Sequence, residues 1–248
     1  MTSPRMDNTE VPAPDTRRSP ASVIFDLDGT LLDTIEDMTD AVNAALNQRG
    51  YPTRSVEEVK YLVGEGTDVF ARGALPAEVR QPDIITSLID EYRAEYAKVW
   101  TRKTHPYPGI LDLLKALGRR GIPMAVLSNK RDGVVKKAVA HFFPNIPFVA
   151  VRGAQSGIPL KPDPGVALRL AQCLGTTPER VLFVGDTKTD MQTARSAGMI
   201  AVGALWGFRT ANELRSHGAQ CLIDCPVDLL ALDHAVLAAE AGSAGGEI

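Results

Sequence analysis

From Tyr107 to Val202 two kinds of apolar segment take turns, and this alternation restricts the chain more than any other feature. Gly109 to Arg120 places Ile110, Leu113, Leu114 and Leu117 on one helical face with Gly121 as its stop, and Ile122 to Leu127 is a strand. A helix over Asp132 to Phe143 follows, then a weaker strand at Phe148 to Val151. Pro164 to Leu174 aligns Ala167, Leu170, Ala171 and Leu174 as a helix closed by Gly175. Val181 to Val184 is the next strand, a helix through Met191, Ala194 and Ala197 ends at Gly198, and Ile200 to Val202 is a strand again. Strands that are continuous apolar runs, separated by helices, predict a parallel sheet covered on both faces: an α/β, doubly wound, Rossmann-like core.

Upstream, Val23-Ile24-Phe25 is a short buried-strand pattern that runs into Asp26-Leu-Asp28-Gly29. Two carboxylates at the end of a buried strand are costly unless a cation or a hydrogen-bond network compensates, and a metal ion is the direct compensator. From Asp33 to residue 122 the spacing is helical throughout, with Ile35 to Arg49 ending at Gly50 and with Pro82 to Trp100. This predicts an all-helical insertion, a cap over 34–104, in a core made of 21–33 and 105–240. Between these helices, Gly64-Glu65-Gly66 resembles half a dinucleotide fingerprint, but the third glycine and the strand-helix-strand setting are missing, which excludes a dinucleotide site. Residues 1–20, with four prolines among polar residues, are expected to be a disordered tail, and 241–248 a flexible one.

With 248 residues of which 44% are hydrophobic, the chain can bury a large core, and no apolar run approaches the ~20 residues of a membrane helix. A net charge of −3 offers no bulk attraction to nucleic acid or to an anionic membrane, so neither is expected as a partner. Three cysteines (Cys173, Cys221, Cys225) are too few for a disulfide framework or a four-thiolate zinc site and suit a reduced, cytoplasmic setting.

In a doubly wound sheet, ligands bind beyond the carboxyl ends of the strands. Polar groups stand at those places in order: Asp26 and Asp28 after the first strand, Ser128 and Asn129 after Val126-Leu127, Lys161 opening the helix after the weak strand, and Asp186, with Asp190 four residues on, after Val181 to Gly185. Taken singly, each has a plainer account as a cap or a solvated loop residue. Their order along successive strands does not.

Through Asp26-Leu-Asp28-Gly-Thr, Ser128-Asn129, Lys161-Pro and Gly185-Asp186 with Asp190, the chain resembles the haloacid dehalogenase-like superfamily of phosphohydrolases. The helical insertion is similar to that of its helical-cap subgroup. Gly64-Glu65-Gly66, Tyr107-Pro-Gly and Ser-Asn-Lys look like its phosphoglycolate phosphatase branch. The resemblance implies that Asp26 is the nucleophile forming an aspartyl-phosphate and that Asp28 is the acid and then the base. Anions beside Asp28 would ease its protonation. It further implies Mg²⁺ on the Asp26 carboxylate, the Asp28 carbonyl and Asp186, with Asp190 placing its waters. Ser128, Asn129 and Lys130 would bind phosphate oxygens and Lys161 would balance charge.

Gly64 and Glu65 are the cap residues expected at the substrate, a small phosphorylated metabolite and plausibly 2-phosphoglycolate, whose carboxylate would need Lys130 or Arg72. Asp28 disfavours dehalogenation, since the dehalogenases lack an acid there. A phosphomutase and a catalytically dead binding protein are the alternatives; a phosphonate hydrolase would need a cap lysine, and Lys60, Lys98 and Lys103 stand in ordinary helical settings.

Overall fold

The computed structural model describes residues 22–232, and both expected tails lie outside them. Six strands form one parallel sheet: β1 (Ser22–Phe25), β4 (Met124–Arg131), β5 (Phe148–Ala154), β6 (Val181–Gly185), β7 (Ile200–Ala204) and β8 (Cys221–Ile223), in the order β5-β4-β1-β6-β7-β8. β1 therefore has β4 on one side and β6 on the other, with Phe25 opposite both Val126 and Val184. This is the point where the winding reverses, and a crevice opens there beyond the strand ends.

Alternate residues of the strands feed two cores. Val23, Phe25, Val126 and Val184 join α5 (Ile110–Arg119) and α6 (Asp132–Phe142) on one face. On the other face, Ile24, Ala125, Leu127 and Phe183 meet α7 (Gly165–Cys173) and α8 (Lys188–Ser196). Every residue of β1 is buried, which is why it reads as an unbroken apolar run. Beyond β7, α9 (Ala211–Ser216) completes the layer. Among the described residues no helix is long and apolar enough to cross a membrane.

Two differences from the sequence reading concern strand ends. The segment between Asp33 and residue 122 is not free of strands, since β2 (Leu32–Asp33) pairs antiparallel with β3 (His105–Pro106). Two-residue strands carry no periodicity. β4 begins at Met124 and continues to Arg131, so Ser128 and Asn129 lie on the strand and not after it. Its pairing with β5 skips from Leu127 to Arg131, and the irregularity falls on those polar residues.

Between β2 and β3 lie α1 (Ile35–Gln48), α2 (Val56–Leu62), α3 (Thr67–Ala74) and α4 (Pro82–Val99), around a separate apolar cluster that includes Leu46, Phe70, Leu88 and Tyr92. Buried Asp37 in the first turn of α1 accepts from the Lys103 amide, the Thr104 amide and the Thr104 hydroxyl. The two chain crossings between the helices and the sheet are thus tied side by side.

Candidate active site

β1 and β6 end side by side, so Asp26 and Asp186 are delivered to one spot, and the first turn of α8 adds Asp190. Oxygens of these three buried carboxylates lie within 4.8 Å of one another. The close approach depends on glycines: Gly29, at φ 85°, faces the Asp186 carboxylate and Gly185 faces Asp190, and a Cβ on either would overlap those side chains. Asp186 is held by the Thr30 hydroxyl at 2.7 Å and the Phe208 amide at 2.9 Å. Asp190 accepts from the Thr187 amide and hydroxyl at 3.0 and 2.6 Å in a capping box.

Lys161 supplies the buried cation. Its Nζ lies 2.6 Å from Asp190, 2.9 Å from Asp26 and 3.1 Å from the Leu127 carbonyl. Burial works to lower the lysine, yet the Asp190 and Asp26 carboxylates hold it above its ordinary value. One lysine does not balance three acids. Burial pushes the Asp26 carboxyl up to about 7, with Lys161 opposing and Asp190 adding to the rise. Burial likewise raises Asp186 well above the carboxylate range, reinforced by Asp190 and Asp26. The Asp26 oxygen facing Lys161 is buried, and among the described residues that ammonium at 2.9 Å is its compensating neighbour. Hard, crowded, under-compensated oxygens of this kind suit a hard divalent cation.

Asp28 receives a cation that the sequence reading gave to the substrate: Lys130 Nζ stands 2.7 Å from its carboxylate and 4.6 Å above the Tyr96 ring. Burial pulls Lys130 down, but Asp28 outweighs it and raises the ammonium above an ordinary lysine. Asn129 braces the loops, since its amide group donates to the Gly64 and Lys161 carbonyls and its oxygen accepts from the Lys161 amide, each at 2.9 Å. The Ser128 hydroxyl accepts from the Lys130 amide at 3.3 Å.

A cavity of about 230 Å³ opens from Asp26, Asp28 and Ser128 beneath the helices, and Gly64 lines it. Glu65 does not line it and instead pairs with Lys188 at 2.8 Å. Arg72 is exposed and also outside the wall.

Several site neighbours escaped sequence reasoning. Thr30 and Phe208 hold Asp186, and Arg209 reaches from the loop after β7 to donate to the Lys60, Tyr61 and Val63 carbonyls at 2.6, 3.2 and 3.0 Å. The strand-end rule, applied to Ile200–Ala204 as it was to the other strands, points to this loop. No residue type in Trp206-Gly-Phe-Arg209 distinguishes it from an ordinary surface turn.

A doubly wound parallel sheet with three buried acids and a buried lysine at its winding reversal, roofed by helices inserted after the first strand, defines a class of α/β hydrolytic enzymes. Residues 23–204 match the haloacid dehalogenase-like hydrolase family, and the chain belongs to it. A phosphoglycolate phosphatase of Pseudomonas putida is 33% identical over 216 residues, 86% of this chain and 78% of the relative. One from Aliivibrio fischeri is 31% identical over 75% of this chain and 84% of its own length. A Lactobacillus delbrueckii structure, provisionally named a phosphoglycolate phosphatase, superimposes with a TM-score of 0.80 at 33% identity, covering 85% of this chain and 97% of that one. A Clostridium difficile β-phosphoglucomutase has the same fold, with a TM-score of 0.69 at 19% identity over 84% and 92% of the two chains.

Proposed function

We propose that the protein is a Mg²⁺-dependent phosphatase of a small phosphate monoester, with residues 34–104 as a cap over the site. The convergence of Asp26, Asp186 and Asp190 beside Lys161, with Asp26 itself on the cavity wall, carries this reading. The relatives named phosphoglycolate phosphatase make 2-phosphoglycolate the first ester to try.

In the proposed cycle, a carboxylate oxygen of Asp26 attacks phosphorus as the ester P–O bond breaks, giving an aspartyl-phosphate and an alkoxide that takes its proton from Asp28. Asp28 then removes a proton from water, the water oxygen attacks phosphorus, and the bond to Asp26 breaks to release inorganic phosphate. Asp28 is left protonated for the next turn. Lys130 leaves Asp28 for the dianionic ester as the ester binds, which frees the carboxyl for the proton. Lys161 stays against Asp26 and offsets its charge, while Ser128 and the amides of Asn129 and Lys130 receive phosphoryl oxygens. The carboxylates of Asp26 and Asp186 and the Asp28 carbonyl would hold Mg²⁺, with Asp190 behind them, and the ion supplies charge neutralisation at the phosphoryl oxygens.

Initial rates over a panel of phosphate monoesters, with Mg²⁺ and with EDTA, test the reading. Turnover is expected only with Mg²⁺, and Asp26→Asn should lower it by about three orders of magnitude or more with the fold intact. Near-normal hydrolysis by folded Asp26→Asn, or full activity in EDTA, would overturn it.

A further inference from the structure

The cavity has two ends of different chemistry. At the inner end stand Asp26, Asp28 and Ser128. Lys130 belongs to this end, with its ammonium on Asp28 and over the Tyr96 ring. Tyr92 and Tyr96 share one stripe of α4, and Phe70 packs on Tyr92 with ring centroids 4.9 Å apart, so the middle of the wall is aromatic.

The neighbouring stripe of α4, with Arg93 and Ala97, and Trp100 just past its end carry the wall outward, and α6 faces them across the opening. Arg131 and Lys137 line that side, with Lys137 Nζ 4.6 Å above the Trp100 ring. Three cations therefore ring the outer end. No acidic side chain lines it among the described residues, since Asp26 and Asp28 are the only acids on the cavity wall. Arg93 meets Asp90 through one terminal nitrogen at 3.2 Å, and Asp90 is exposed and outside the cavity wall, so the guanidinium is free to meet an anion there as well.

2-Phosphoglycolate places its carboxylate a single methylene from the ester oxygen. Seated with phosphorus at Asp26, it keeps that carboxylate near Lys130 and leaves the aromatic wall and the outer cations against water. We infer that the ester this cavity is built for carries a second anion beyond an apolar or ring-shaped spacer. The spacer lies along Phe70, Tyr92 and Trp100, and the anion meets Arg93, Arg131 and Lys137. The inference rests on the phosphatase reading and names its substrate class.

Three esters separate the terms: 2-phosphoglycolate, benzyl phosphate, which has a ring and no second anion, and 4-carboxybenzyl phosphate, which has both. For the wild type with Mg²⁺, kcat/KM should rank 4-carboxybenzyl phosphate first. In Arg131→Gln/Lys137→Met the ratio of kcat/KM for 4-carboxybenzyl over benzyl phosphate should fall by about five- to tenfold, mainly through KM, as expected for two partly solvated ion pairs. A wild-type preference for 2-phosphoglycolate, or an unchanged ratio in the double variant, would overturn the inference while leaving the phosphatase reading intact. If none of these three esters turns over while other monoesters of the panel do, calorimetry on Asp26→Asn decides the inference; if the whole panel fails, the phosphatase reading fails and the inference with it. Tighter binding of 4-carboxybenzyl than of benzyl phosphate supports it, and equal binding overturns it.

Discussion

Asp26 and Asp186 are carboxylates held where water cannot solvate their charge, and their titration exposes that cost. Asp26 titrates near 7 in the folded protein against an ordinary value of 3.8. Between those two pH values the folded state binds more protons than the unfolded chain, so this residue lowers stability as pH rises through the window. Below about 4 both states are protonated and the penalty is absent; above about 7 both are ionised and it is complete. Asp26→Asn removes the titration. In metal-free buffer its melting temperature should gain on the wild type by about 7–14 °C between pH 4 and pH 7, most of it above pH 5. A difference that stays constant with pH would show that Asp26 is not strained by burial. Asp26 itself was legible from its place at the end of an apolar run. Thr30 and Phe208, the partners of Asp186, were not, because the Phe208 contact is a backbone amide and any residue type supplies one.

At the scale of elements, the position of the helices over the site depends on residues outside them. α2 ends at Leu62, and Arg209 takes three carbonyls from residues 60–63, that of Lys60 shared with the Val63 amide, while its ring neighbour Tyr61 lies 5.1 Å away. The same stretch leads into Gly64, which Asn129 holds from below. Arg209→Ala should leave the buried Val63 carbonyl without its side-chain donor, lower stability by about 1–2 kcal/mol, and speed amide exchange across 60–66 by about tenfold with the sheet unaffected. Arg209→Lys should recover only part of the protection, since an ammonium lacks the fork that spans several carbonyls. Exchange mass spectrometry on both variants checks this, and unaltered exchange at 60–66 would remove Arg209 from the brace. The helices themselves were readable from spacing. The brace was not, because a lone arginine in a loop carries no periodic signal and its acceptors are 146 to 149 residues away.

For the whole molecule, Mg²⁺ bound at the acid cluster as proposed would couple metal concentration to stability. A cation that binds the folded cluster and not the unfolded chain stabilises by about 2.7 kcal/mol at a hundredfold excess over its dissociation constant, which for a chain of this size is about 5–10 °C in melting temperature. Wild type should show that rise with Mg²⁺ over EDTA. Asp186→Ala should lose it, because Asp186 is the acid that follows β6 and completes the cluster with Asp26 and Asp190. An equal rise in the variant would place the ion elsewhere.

The sequence by itself determined the parallel α/β sheet, the helical insertion and the acids that follow β1 and β6. These follow from burial and period, which are local: a central strand covered on both faces is an apolar run, and its acids stand where the run stops. Only the tertiary structure decided how those charges pair. Lys130 sits on Asp28, Glu65 turns out to Lys188, and Arg93, Arg131 and Lys137 gather at the cavity mouth. Long charged side chains reach across elements far apart in the chain, and which partner each meets depends on how α4 and α6 face one another, a relation that no local pattern of residues encodes.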